Sequence, residues 1–95
     1  MLLRGHLVET AVGAYLIGRS AIDGFDLFWW RNGNLEVDFV LKRGQQITAI
    51  EVKSGRVSKC GISAFCKLYP TAKPMVVGDS NTSVEDFLRG NVPLF

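Results

Sequence analysis

Residues Glu36–Gly55 read EVDFVLKRGQQITAIEVKSG. Two runs of alternating apolar and polar residues flank KRGQ, so the pattern predicts two antiparallel strands joined by a tight turn. Asp38 interrupts the first run, and Glu51 and Lys53 the second. With a loop of even length, such as Arg43-Gly44, Asp38 faces Ala49 and Glu51 is its diagonal neighbour; an odd loop throws Glu51 to the opposite side. The even register also sorts the two faces. Thr48, Ile50 and Val52 join Val37 and Phe39 in one apolar layer, while Asp38, Glu51 and Lys53 converge on the other. That sorting selects the even loop.

Upstream, FDLFWWRNGNLEVDFVL places Asn32-Gly33, a favoured pair for a two-residue hairpin turn, between two β-rich runs. Pairing Arg31 with Asn34 sets Trp30 opposite Leu35 and Phe28 opposite Val37, so that Leu35, Val37, Phe39 and Leu41 line one side with Phe28 and Trp30. Trp29 then faces the other way. Before the hairpin, Leu3, Leu7, Ala14 and Ile17, with Val8, Val12 and Tyr15 beside them, recur at helical spacing from Leu2 to about Gly18, where Gly18 is a candidate C-cap. Downstream, Ile62, Phe65, Cys66 and Tyr69 predict a second helix over Lys59–Tyr69 that ends before Pro70. It serves as the crossover to a short apolar strand, Pro74–Gly78. Ser83-Val-Glu-Asp86 has the form of a capping box and opens a last helix to about Arg89. The order predicts an α/β domain: a mixed β-sheet, antiparallel meander plus crossover strand, flanked by helices.

The 95 residues suffice for one domain that buries about two thirds of its unfolded surface. Their 47% hydrophobic and 21% charged content is ordinary for a folded chain, and no run reaches the ~20 apolar residues of a membrane span. Glu9 interrupts the segment that would form a signal-peptide core, so the expected location is the cytoplasm and no membrane partner is expected. Cys60 and Cys66 are too far apart for a CxxC pair, and His6 is the only histidine, so the cysteines read as reduced structural thiols. A net charge of +2 permits a nucleic-acid partner without requiring one. Arg56, Lys59 and Lys67 are the candidate phosphate contacts, and a solvated surface accounts for them equally well.

The charged set on the hairpin has its own chemistry. Two carboxylates ~7–8 Å apart at Cα repel one another and can share one hard cation, Mg2+ or Mn2+, with the carbonyl of Val52 as a further oxygen ligand. Lys53 is then placed to orient an attacking water and to stabilise charge on a phosphoryl group. Glu9, with Gly5 and Gly13 one turn to either side, is a candidate further ligand, since the missing side chains let the helix approach the sheet. The same residues also fit a solvated strand face with a surface ion pair.

A carboxylate on a hairpin strand, then ExK, then a glutamate on the preceding helix resembles the PD-(D/E)xK phosphodiesterase superfamily. EVKSG is similar to the corresponding stretch of Holliday-junction resolvases and restriction-type endonucleases. The succession GHLVETAVGAYL, FWWRNGNLEVDFVLKRGQQITAIEVKSG, AFCKLYP and SVEDFL resembles the C-terminal domain, of unknown function, of prokaryotic AAA-type ATPases. The resemblance implies a restriction-endonuclease-like fold with Asp38 and Glu51 as metal ligands, Lys53 as the catalytic lysine and Glu9 as the helix carboxylate. The expected activity is that of a magnesium-dependent nuclease, with DNA favoured over RNA as its substrate. No Walker A loop occurs in the 95 residues, so residues 1–95 would be a fragment of such an ATPase or a stand-alone copy of its terminal domain. A homodimer or an ATPase module are the expected protein partners. The alternative is a non-catalytic interaction or dimerisation domain that keeps the nuclease fold; a third reading is a nucleic-acid-binding module without cleavage, which would bind in a salt-dependent and magnesium-independent way.

Overall fold

Gly33 and Gly44 shape the sheet. The computed structural model describes residues 2–53, 61–78 and 82–95, the side chains of residues 2–7 excepted. The readings placed on Arg56, Lys59 and Cys60, and on the side chains of Leu3, Gly5, His6 and Leu7, lie outside the described residues. The chain runs α1 (Leu2–Asp23), β1 (Asp26–Asn32), β2 (Leu35–Arg43), β3 (Gln46–Val52), α2 (Gly61–Leu68), β4 (Lys73–Val77) and α3 (Val84–Leu88). Its four strands lie in sequence order in one sheet. β1, β2 and β3 form an antiparallel meander, and β4 pairs parallel to β3. This is the α/β architecture expected from the sequence.

The registers differ from the expected ones by two residues. Asn32 pairs with Leu35, leaving Gly33-Asn34 as the loop, and Arg43 pairs with Gln46, leaving Gly44-Gln45. Each glycine thus takes the first central position at positive φ, 63° for Gly33 and 62° for Gly44, a conformation that strains residues bearing a Cβ. Both loops keep an even length, so the parity read from the sequence holds. Arg31 pairs with Glu36 rather than Asn34, and Trp30 with Val37 rather than Leu35.

A larger correction lies further along β1. Phe28 pairs with Val40, not Val37, because Trp29 alone stands opposite two residues of β2, Asp38 and Phe39. The extra residue is a β-bulge, and it breaks the strict alternation on which the expected single apolar layer rested. Val37 and Val40 therefore both join Ala49, Phe65 and Ala72 on the α2 side. Phe39 and Leu41 instead pack with Val12, Leu16, Ile50 and Val52 on the side of α1 and α3. Trp30 meets the edge of Phe65 at a centroid distance of 5.4 Å. Phe28, expected in a covered layer, is 51% exposed at the sheet margin.

α1 runs beyond Gly18 to Asp23, closed by a two-pronged Arg19–Asp23 pair (2.8 and 3.1 Å) and by Gly24, whose N–H donates to the Ser20 carbonyl at 3.0 Å. Its covered stripe is Val8, Val12, Tyr15 and Leu16. Ala14 and Ile17, expected on that stripe, are exposed, since at ~100° per residue they sit ~200° and ~140° around the helix from Val12. In α3 the expected cap forms: the Asp86 N–H donates to Ser83 Oγ at 3.1 Å. Phe87 of that helix is fully buried and meets Tyr15 edge-on at 5.3 Å. The buried Thr48 hydroxyl donates to the Leu94 carbonyl at 2.6 Å, which ties the final residues to the sheet.

Gly61 begins α2 with its backbone against that of Glu36, where an added Cβ would overlap the Glu36 carbonyl. Backbone cannot yield as a flexible side chain does. We expect Gly61→Ala to lower unfolding stability by ~1–3 kcal/mol despite alanine's better helix propensity. Gly18→Ala, facing open space inside α1, should raise it by ~0.5–1 kcal/mol. Urea denaturation of the two variants measures both, and equal effects would overturn the close α2–β2 approach.

Candidate functional site

Phe39 and Ile50 form the last pair of the β2–β3 ladder on the bulge side. Beyond them the strands part, and β3 continues through Glu51 and Val52. Backbone N–H groups alternate between the two edges of a strand. The Lys53 N–H donates to the Val77 carbonyl of β4 at 2.8 Å, so the Val52 N–H points the other way, toward β2. No backbone acceptor of β2 takes it. Instead it donates to Asp38 Oδ2 at 2.7 Å. A carboxylate in that position lies near the plane of the sheet, in the fork between the strands, and the Val52 carbonyl leaves β3 on the same side.

The bulge thus corrects the expected convergence of Asp38, Glu51 and Lys53 on one face. Asp38 does not face Ala49, which pairs with Val40. Glu51, between the α1-side residues Ile50 and Val52, keeps the α2 side, and Lys53 follows it by alternation. Glu51 is half-buried and Lys53 is exposed. Lys53 is nonetheless held through its backbone: besides the bond to Val77, its carbonyl packs against Gly78 (φ 105°), where a Cβ would overlap it.

From the other side comes Glu9. A Cβ on Gly13 would stand 3.3 Å from the Phe39 ring, so α1 runs close above the bulge. Glu9 lies one turn earlier on the same helix and is half-buried. Glu36 completes the set from β2, paired with Arg31 at 3.5 Å. Burial raises the Asp38 carboxyl above its ordinary value, the Val52 N–H pulls it back, and the charges of Glu9, Glu51 and Glu36 raise it further. The structure therefore brings Asp38 within the field of three carboxylates from three elements. Lys67 is exposed in the last turn of α2, the end away from Glu36.

Oxygen donors of this kind suit Mg2+ or Mn2+, which are commonly held by one or two carboxylates while waters and phosphate oxygens complete the shell. Among the described residues no group of three or more His, Cys, Asp or Glu side chains is arranged to hold a metal ion. Glu9, Glu51 and Glu36 act on Asp38 through their charge. Glu36, Arg31 and Trp29 were missed as neighbours of Asp38 in the sequence. The correct hairpin register was the signal that would have found them, since it sets Arg31 opposite Glu36 and Trp29 opposite the bulge.

An acid whose folded pKa is raised favours folding most when it is protonated. Asp38's contribution is fully present below its unfolded pKa and is lost as pH rises through the raised folded value. Asp38→Asn keeps an oxygen acceptor for Val52 and removes the charge. In metal-free buffer it should raise the melting temperature at pH 7, with the gain shrinking toward zero in acid. Thermal melts of both proteins across pH check this, and a pH-independent difference would contradict it.

No curated protein and no solved structure matches the chain. Among the described residues no helix is long and apolar enough to cross a membrane. A family model does match, over residues 4–93, a span that takes in every element from α1 to α3 and all of the carboxylates gathered around the fork. By that match the chain belongs to the family described as Domain of unknown function (DUF4143).

Proposed function

We propose that this chain is a metal-dependent phosphodiesterase of PD-(D/E)xK type that hydrolyses DNA. One observation carries the reading: the half-buried Asp38 carboxylate sits in the β2–β3 fork on the amide between Glu51 and Lys53, with three other carboxylates raising its affinity for positive charge. A proton or a cation relieves that repulsion, and near neutral pH a divalent cation is the stronger of the two. When bound, such a cation polarises a phosphate and lowers the pKa of a coordinated water.

The chain's own residues then have distinct tasks. Asp38 supplies its second oxygen, since Oδ2 is engaged by Val52, and Glu51 supplies the other carboxylate. The Val52 bond fixes the Asp38 rotamer, so the donor is preorganised. Lys53, with a fixed backbone and an exposed side chain, can swing its ammonium onto an incoming water or a phosphoryl oxygen. Glu9 keeps the local potential negative.

A second reading, a non-catalytic interaction domain, draws on a different feature. Phe28, Trp29, Trp30, Val40, Ile47, Phe65 and Tyr69, with Lys42, line an apolar cavity of about 300 Å³ beside α2, and such surfaces often receive a protein partner.

Titration of Mn2+ followed by calorimetry and thermal melts, together with cleavage of branched, single-stranded and duplex DNA, separates the two. The wild type should bind Mn2+, gain stability from it and cut. Asp38→Asn should lose both binding and cutting. Lys53→Ala should keep the metal and lose cutting by ~10²-fold or more. A wild type that neither binds Mn2+ nor cuts sinks the enzyme reading and leaves the interaction domain.

A further inference from the structure

We propose that Trp29 and Arg31, on the edge of the sheet, form a nucleotide subsite beside Asp38, the indole stacking on an unpaired base and the guanidinium meeting its phosphate. This deepens the phosphodiesterase reading and rests on it. Its ligand is a single-stranded segment of nucleic acid.

β1 is an edge strand, so one side of it is open. Trp29 is the residue directly opposite the Asp38–Phe39 bulge, one interstrand spacing of ~4.7–4.9 Å away. Two residues earlier on the same face, Leu27 packs into the core beneath α1. Trp29 lies past that cover and is 65% exposed. A large apolar ring left in water next to a charged fork is a stacking surface within one nucleotide of the site.

Arg31 follows on the same face. Its guanidinium carbon lies 5.9 Å from the centroid of the Trp29 ring, so base and phosphate binding elements are already side by side. The pair it makes with Glu36, at 3.5 Å, is long, and 60% of the Arg31 side chain is exposed. Such a pair is weak. A phosphate, which accepts two parallel hydrogen bonds from a guanidinium, competes well for it. A base can offer its face to the indole only when it is unstacked on that side, which selects single strands, ends and branch points over continuous duplex.

Phe28 provides an internal control. It is exposed too, and like Trp29 it lines the apolar cavity beside α2, but it pairs with Val40 rather than standing opposite the bulge. An effect confined to Trp29 and Arg31 therefore reports the subsite, and one shared with Phe28 reports general stickiness.

The test is fluorescence anisotropy in Mg2+ buffer, on a Lys53→Ala background that holds the strand uncut. The probes are a labelled thymidine oligonucleotide of about 12 nucleotides, the same strand with abasic sites, and a duplex. The single strand should bind more tightly than the duplex. Trp29→Ala should weaken that binding by about tenfold, and Trp29→Phe should retain most of it. Phe28→Ala should leave it unchanged, and the abasic strand should not distinguish Trp29 from alanine. Arg31→Gln should reduce the salt dependence by about one phosphate contact.

Equal binding of the single strand by Trp29→Ala and its parent overturns the subsite. If the wild type still cuts in that case, hydrolysis stands without it. Trp29-dependent binding with no metal-dependent cleavage has the opposite meaning: the subsite holds and hydrolysis fails. A chain that binds none of the three probes overturns both.

Discussion

The hydrogen bond from the Val52 N–H to Asp38 is the point on which the candidate site depends. Without the extra residue in β2, the ladder would continue past Phe39, Val52 would find a backbone acceptor, and Asp38 would point to one face. Beside the bulge, where the β2–β3 pairs end at Phe39 and Ile50, the Asp38 carboxylate accepts from the Val52 amide. A charge-assisted bond of this kind contributes ~1.5–3 kcal/mol. It offsets part of the cost of holding a carboxylate half-buried, and the net raised pKa of Asp38 says that it does not offset all of it. The fold thus holds Asp38 half-buried within the charges of Glu9, Glu51 and Glu36, an arrangement that costs stability when the carboxyl is ionised.

Three glycines make the corner possible. Gly13 brings α1 down onto Phe39, Gly61 seats α2 on the backbone of Glu36, and Gly78 lets the end of β4 close on the carbonyl of Lys53. Each contact falls on a residue of the site or on its immediate neighbour. The glycines come from three separate elements, yet all serve to bring backbone close to one end of β2 and β3. At Gly61 and Gly78 the atoms that would have to move are main chain, and at Gly13 they belong to the Phe39 ring, so the corner has little freedom to relax.

Much of this was legible in the sequence, and the part that was not has one origin. Alternation in EVDFVL and ITAIEV and the glycines in the turns gave all four strands, their order and the even loops. The helical spacing around Phe65 and the Ser83 cap gave the remaining elements. A bulge leaves no mark in a hydrophobic pattern, because inserting a polar residue such as Asp38 between Val37 and Phe39 is also what simple alternation would produce. That ambiguity hid the crossing of Val37 to the α2 side, the placement of Asp38 in the fork and the exposure of Phe28. The way Asp38 meets the Val52 amide was not readable from the pattern. Arg56 and Lys59 fall outside the described residues, and Lys67 stands at the far end of its helix.

The charge of the corner constrains any nucleic acid that uses it. The chain carries a net +2, but Glu9, Glu36 and Glu51 all act by their charge on Asp38, where the proposed phosphodiesterase reading brings a phosphate. Among the described residues, four carboxylates stand against Lys53 and Arg31, a balance that disfavours the approach of a bare phosphodiester. On the proposed reading a divalent cation would reverse that balance at short range, and the phosphate would supply ligands beyond the two carboxylates proposed for it. Each should therefore raise the affinity of the other by the same factor, as linkage requires. A plain basic binding surface has no reason to show such coupling, whereas a corner that concentrates acid where a polyanion must dock has use for its ligand only when the two arrive together.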